Sequence, residues 1–270
     1  MVRFKIMRIV SWNIYFRNKD FDRAYRFIES LDFDVLCLQE VPEEFLARLK
    51  ALPYHIRSSV DVDRYFNKGT VRNYLVILSK HPIGATKTFS FDLPYIPPRT
   101  KVFMKALRPL GWSKIDGRTA LIADIELPSF AKPVRVACLH LLLAHPSVRY
   151  REFERTMETM GEVREKILCG DFNIIESPQA SLVSWAHGGT VLDTLLWKRE
   201  RAMIQKRFAH YQLVNPHLNL RTHPFSRSQL DHILVSGHMK IKTSGVMEDR
   251  TGSDHLPIFV ELEQNLSQKP

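Results

Sequence analysis

Apolar runs that stop at a single polar side chain recur along this sequence. Met7–Trp12 reads as a strand ending at Asn13, and Asp34–Gln39, apolar almost throughout, reads as a strand covered on both faces and ending at Glu40. Between them Phe21, Ala24, Phe27, Ile28 and Leu31 recur at helical spacing, which predicts a helix over Asp20–Leu31. Pro42 then stands at the first-turn position of a short helix over Glu43–Lys50. The succession strand, helix, strand, helix predicts mixed α/β architecture.

Further along, Tyr54–Ser59 and Tyr74–Ser79 read as strands, followed by a turn at Lys80–Gly84. Thr86–Trp112 is rich in proline and aromatics and reads as a surface excursion between strands. Arg118–Leu127 and Val134–Leu139 form a predicted hairpin whose second strand ends at His140. A long helix over Arg149–Arg164 leads into Lys166–Cys169, which is stopped at Gly170 and followed by Asp171, Phe172 and Asn173. Strand alternation would turn Asp171 and Asn173 to one face and Phe172 to the core. The same residues also suit an ordinary strand-to-turn junction. Helices are expected over Ser177–Ala186 and Trp197–Leu213, and strands over Leu230–Val235, Met239–Thr243 and Leu256–Leu262. The polar tail 263–270 is expected to fray. With no repeat, low-complexity segment or linker, a single domain over 1–270 is expected.

Composition narrows the class. Hydrophobic content of 44% with 25% charged residues suits a soluble globular protein. No apolar run reaches the roughly 18–20 residues that span a bilayer. The basic N-terminal residues lead straight into a strand rather than a signal peptide. Cys37, Cys138 and Cys169 each sit in an apolar run without metal spacing, as buried thiols of a reducing compartment do. A cytoplasmic protein is expected. The formal charge of +10 favours a polyanionic partner, nucleic acid above all. Lys198, Arg199, Arg201, Lys206 and Arg207 crowd one predicted helix, though a solvated helical face explains that density at least as well as a nucleic-acid contact.

The polar residues at strand ends carry the chemistry. Besides Asn13, Glu40, His140, Asp171 and Asn173 they include Asp231 and His232, then Asp254 and His255 within Gly252-Ser-Asp-His-Leu-Pro257. Sites in sheet proteins are assembled at strand ends and the loops after them. Glu40, Asp171 and Asp254 are hard oxygen donors, with Asn13 a neutral one, a set suited to Mg²⁺ with Mn²⁺ as the alternative. His140 and His255 can donate to phosphate oxygens or exchange protons near neutral pH. Together these residues suit metal-assisted attack of water on a phosphoester.

Ser11-Trp12-Asn13, Leu38-Gln39-Glu40, His140-Leu141, Gly170-Asp171-Phe172-Asn173, Leu230-Asp231-His232 and Ser253-Asp254-His255-Leu256-Pro257 follow one another as in the endonuclease/exonuclease/phosphatase superfamily, which the chain resembles over Ser11–Pro257. The resemblance implies a four-layer α-β-β-α sandwich of two mixed sheets with the site at one edge. It implies Glu40 as the main metal ligand, with Asn13 and Asp254 near the metal directly or through water. Asp171, helped by Asn173, would orient or deprotonate the attacking water. His255 would contact the scissile phosphate, oriented by Asp231, and His140 would contact phosphate or protonate the leaving oxygen. His232 reads as structural. Arg118, Lys198 and Arg201 are candidate substrate contacts.

Departures from the family pattern narrow the subgroup. Tyr15 stands where abasic-site endonucleases and tyrosyl-DNA phosphodiesterases carry an acidic residue, and His140 stands where abasic-site enzymes have Asn. The run Asn73–Ser79 keeps the family's Ile-Leu-Ser ending without the small residues that usually precede it. The implied activity is a Mg²⁺-dependent phosphodiesterase, a nuclease or DNA-end-processing enzyme. The same chemistry on an inositol phosphate or phospholipid head group is the second expectation, and a catalytically silent binding module the third.

Overall fold

The computed structural model describes residues 4–66, 69–92, 96–107, 114–128, 130–143, 145–177, 185–186, 188–195 and 197–265. Two sheets face each other. The first holds β1 (Phe4–Asn13), β2 (Val35–Pro42), β3 (His55–Phe66), β4 (Gly69–Ser79), β6 (Lys114–Asp116), β12 (Lys240–Val246) and β13 (Ile258–Asn265), in the order β12-β13-β1-β2-β4-β3-β6. The second holds β5 (Ile83–Ser90), β7 (Thr119–Ile125), β8 (Val134–His140), β9 (Lys166–Asp171), β10 (Leu213–Val214) and β11 (Asp231–Ser236), in the order β10-β11-β9-β8-β7-β5. Each sheet is mixed, because β1 runs parallel to β2 and β8 parallel to β9 while the remaining pairs are antiparallel.

Alternation along the strands creates three apolar layers. Ile9, Cys37, Ile77, Val136, Cys169 and Ile233 interleave between the sheets. Val10, Trp12, Leu36 and Val76 point outward and are covered by Ala24 and Ile28 of α1 (Phe21–Ser30) and Phe45 and Leu49 of α2 (Glu43–Leu49). On the far side Leu139, Leu168 and Phe172 are covered by Phe153 and Met157 of α4 (Pro146–Met160) and by Ile204 and Phe208 of α6 (Trp197–His210). The result is the four-layer α-β-β-α sandwich expected from the resemblance. The three thiols are buried and unpaired. No described helix is long and apolar enough to cross a membrane.

Several boundaries differ from the sequence reading. β3 continues past Ser59 to Phe66, although most of its side chains are at least partly exposed and so lack an apolar signature. Within the Pro-rich excursion the chain forms α3 (Pro98–Leu107), with Pro98 opening the helix. A five-residue α5 (Val191–Leu195) precedes α6. α6 ends at His210, because Gln212 takes φ +54° and Leu213–Val214 instead pair with β11. β13 runs to Asn265, so the expected fraying from 263 does not begin there. Of the expected helix over 177–186, residues 178–184 lie outside the described residues, as do 266–270.

Candidate active site

Three strands of the second sheet bring their functional ends into line. In the ladder His140 lies opposite Asp171 and Asp231 lies opposite Asp171 from the other side. Gly170 permits this alignment, since a Cβ there would collide with the Leu139 carbonyl of β8. After Asp171 the chain leaves the strand: Asn173 takes φ +52°, its backbone N–H donates to Asp171 Oδ1 at 2.8 Å, and its carboxamide donates to the Leu141 carbonyl at 2.8 Å. Strand alternation therefore does not set the direction of Asn173, a correction to the sequence reading. Phe172 does enter the core.

The first sheet supplies the opposite lip. Asn13 ends β1 and donates to Asp171 Oδ2 at 3.1 Å, a hydrogen bond that joins the two lips directly. Glu40 interrupts the β2–β4 register at a bulge and takes φ +56°, which re-aims its side chain out of the strand's alternation. Its Oε1 accepts from Arg64 at 2.9 Å and its Oε2 from the Phe16 N–H at 3.2 Å. Ser253 anchors the loop that bears Asp254 and His255: its hydroxyl donates to the Asn13 carbonyl at 2.7 Å and accepts the His255 N–H at 3.0 Å.

Two imidazoles converge on one oxygen. His255 places Nδ1 2.8 Å from Asp231 Oδ2 and Nε2 3.6 Å from Asp171 Oδ2. His140 places Nδ1 3.0 Å from Asp61 Oδ2 and Nε2 3.8 Å from the same Asp171 Oδ2, with Glu40 Oε1 also 3.8 Å away. Each ring is thus held at Nδ1 by a fully buried carboxylate and aims Nε2 into the cleft. Burial opposes protonation of His255, but the charges of Asp231 and Asp171 outweigh it and push its pKa up to about 10. Burial likewise opposes protonation of His140, and Asp61, Glu40 and Asp171 together raise it. His255 therefore presents an N–H at Nε2 at neutral pH, and the carboxylates around His140 favour the same form.

The donor set suits a hard divalent cation. Asp254 Oδ1 is buried and has no hydrogen-bond partner, and His223, Asp254 and His255 lie within ligating distance of one another. Burial would raise the Asp254 pKa, but His223 and His255 hold it below the usual carboxylate value, so it stays anionic. The phenol of Tyr15 has its pKa raised, by burial above all and by the charge of Asp254, with Arg17 opposing and Glu40 adding to it. Anionic oxygens, one without a hydrogen bond, fit Mg²⁺ or Mn²⁺ better than zinc.

The endonuclease/exonuclease/phosphatase family model matches residues 10–255. This chain belongs to that family. Its members are hydrolases of phosphoester bonds and generally depend on a divalent metal. A search of curated proteins finds no match. Among solved structures, an endonuclease/exonuclease/phosphatase from Beutenbergia cavernae superposes with a TM-score of 0.66 at 19% identity, covering 97% of this chain and 72% of that one. A mannosyl-6-phosphatase from Bacteroides thetaiotaomicron gives 0.60 at 20% identity, covering 95% and 99%. Truncated TDP2 from Caenorhabditis elegans gives 0.59 at 17% identity, covering 95% and 97%.

In this structure Asn13, Glu40, His140, Asp171, Asp231, Asp254 and His255 form one connected cluster, and Asn173 donates to Asp171 within it. The cationic candidates behave differently. Arg118 is buried, pairs with Glu152 Oε1 at 2.8 Å and donates to the His140 carbonyl, so its guanidinium is committed to the scaffold beneath His140. Arg201 is clamped by both oxygens of Glu176 at 2.9 Å and donates to His232 Nε2 at 2.7 Å. Neither is placed to meet substrate, which corrects the sequence reading of both. The side chain of Lys198 lies outside the described residues. His232 sits 4.7 Å from the Phe172 ring, and burial together with Arg201 drives its pKa well down, in keeping with a structural role. Sequence reasoning missed Asp61, Arg64 and His223. Asp61 and Arg64 fall in the unrecognised half of β3, and only the alternation Val60-Asp61-Val62-Asp63 hinted at them.

Proposed function

We propose that this chain is a Mg²⁺-dependent phosphodiesterase acting on nucleic acid, as a nuclease or end-processing enzyme. The observation that supports this most directly is the pair of imidazole Nε2 atoms facing one Asp171 oxygen, each ring backed by a buried carboxylate. In this reading Asp171, fixed by Asn13 and the Asn173 N–H, takes the proton of the attacking water. His255, held by Asp231, donates to a non-bridging phosphate oxygen and binds the charge that grows there. His140, held by Asp61, donates to phosphate or to the leaving oxygen. Glu40 and Asp254, with Asn13 nearby, would hold the cation, which supplies charge neutralisation and lowers the pKa of water. The charge of +10 supports a polyanionic substrate.

A hydrolysis panel tests the reading: single-stranded and duplex DNA, abasic DNA, 5′-tyrosyl DNA, RNA, inositol phosphates and sphingomyelin, each with Mg²⁺, Mn²⁺ or EDTA. Cleavage of a nucleic acid is expected with metal and lost in EDTA. Asp171→Asn and His255→Ala should abolish it, and wild-type turnover by either variant would overturn the assigned roles. Turnover of small phosphoesters alone would overturn the nucleic-acid assignment, and no turnover at all would favour a binding module.

A further inference from the structure

Beside Glu40 lies an aromatic and cationic patch that the chemistry above does not use. The N–H of Phe16 donates to Glu40 Oε2, so the Phe16 ring is fixed next to the proposed metal carboxylate. The ring stacks with Phe66 at 6.1 Å between centroids and 26° between planes. The guanidinium of Arg17 lies 5.2 Å from the Phe16 centroid and 4.9 Å from that of Phe66, and Arg64 covers Phe16 at 4.3 Å. Both rings remain half-buried and Arg17 is exposed. Phe16, Arg17, Phe66, Gly69, Thr70 and Val71 line a cavity of about 370 Å³, the small end of the range for ligand sites. At Gly69 an added Cβ would meet nothing within 4 Å, so this wall opens to solvent.

We propose that this patch is a base-stacking subsite for a nucleotide flanking the scissile phosphate, which makes unpaired, single-stranded nucleic acid the substrate class. Every base presents a π-face to an aromatic platform, and an arginine beside the rings adds attraction both for that face and for the adjoining phosphate. The backbone bond from Phe16 to Glu40 holds the platform in register with the phosphate cleft. A base inside a duplex is stacked on its neighbours and cannot lie on the rings, whereas a base at a single-stranded stretch or frayed end can. The inference rests on the nucleic-acid reading of the site and adds where the base goes.

The test is binding, read by fluorescence anisotropy on the full chain in EDTA. One probe is a labelled dodecathymidylate and the other a labelled strand of the same length and charge with every base replaced by an abasic sugar. Wild type should bind the base-bearing strand roughly tenfold or more tightly. Phe66→Leu should shrink that ratio towards one and Phe66→Trp should restore it. Arg17→Met, at an exposed position, should lower the ratio severalfold and serves should Phe66→Leu fail to fold. Equal binding of the two strands, or an unchanged ratio in Phe66→Leu or Arg17→Met, overturns the stacking subsite. If the strands bind equally and are cut with Mg²⁺, the nucleic-acid reading still stands. A strand bound through its bases but never cut keeps the subsite and leaves the hydrolytic reading to the substrate panel, and no binding of either strand overturns the subsite.

Discussion

At Gly170 the backbone takes φ +150°, and the space where a side chain would begin is filled by the Leu139 carbonyl. Gly170→Ala is therefore expected to lower unfolding stability by at least about 2 kcal/mol in denaturant titration, since neither backbone can withdraw without breaking the β8–β9 ladder. Asp61→Asn keeps the shape but weakens the grip on His140, and a fall of about 10–100-fold in kcat is expected if His140 acts as assigned. A third prediction concerns His217, which is buried with Nε2 2.8 Å from the Phe259 carbonyl and has its pKa lowered by burial to about 4. The unfolded chain binds the proton more tightly, so this residue is neutral in its effect above about pH 6.5. As pH falls from there to about 4, it should remove about 3 kcal/mol of stability, a loss that His217→Gln should reduce in pH-dependent melts. The residues that sequence made legible share one property: Asn13, Glu40, His140 and Asp171 each close an apolar run, and Asp231 opens one. Asp61, Arg64 and His223 close none, and their roles follow from which side chains lie across from them in space.

Among the elements, strand and helix identity was legible wherever one face was buried. The helical stripe of α1 and the apolar run of β2 survive intact in the structure. β3 was half legible because much of it is exposed, and α3 was hidden by a composition that suits loops equally well. The end of α6 was set by pairing of Leu213–Val214 with β11, which no local pattern announces. A testable consequence of element packing is the buried pair between Arg118, just before β7, and Glu152 of α4, whose Oε2 also accepts the Leu142 N–H at 2.9 Å. Arg118→Met strands a buried carboxylate and should cost about 3–5 kcal/mol. Adding Glu152→Gln, which can still accept from Leu142, should recover most of that loss in a double-mutant cycle. An Arg118 that instead bound substrate would give a variant with intact stability and raised KM.

For the whole molecule, the sandwich itself was legible only through the ordered set of short motifs, because periodicity reports which face is buried and not which sheet a strand joins. The charge of +10 makes a prediction at this scale. If a single strand is gripped through about three phosphates, the log–log slope of its affinity against salt should be about −2, whereas a small phosphoester should show a slope near zero. β1 lies between β2 and β13, so residues 4–13 find their second neighbour only in residues 258–265. During synthesis at about 5–20 residues per second, β1 must wait upwards of ten seconds with one edge bare. Asn13 and the loop of Asp254 and His255 are joined by that late pairing, so the cleft cannot assemble until residues 258–265 have closed on β1.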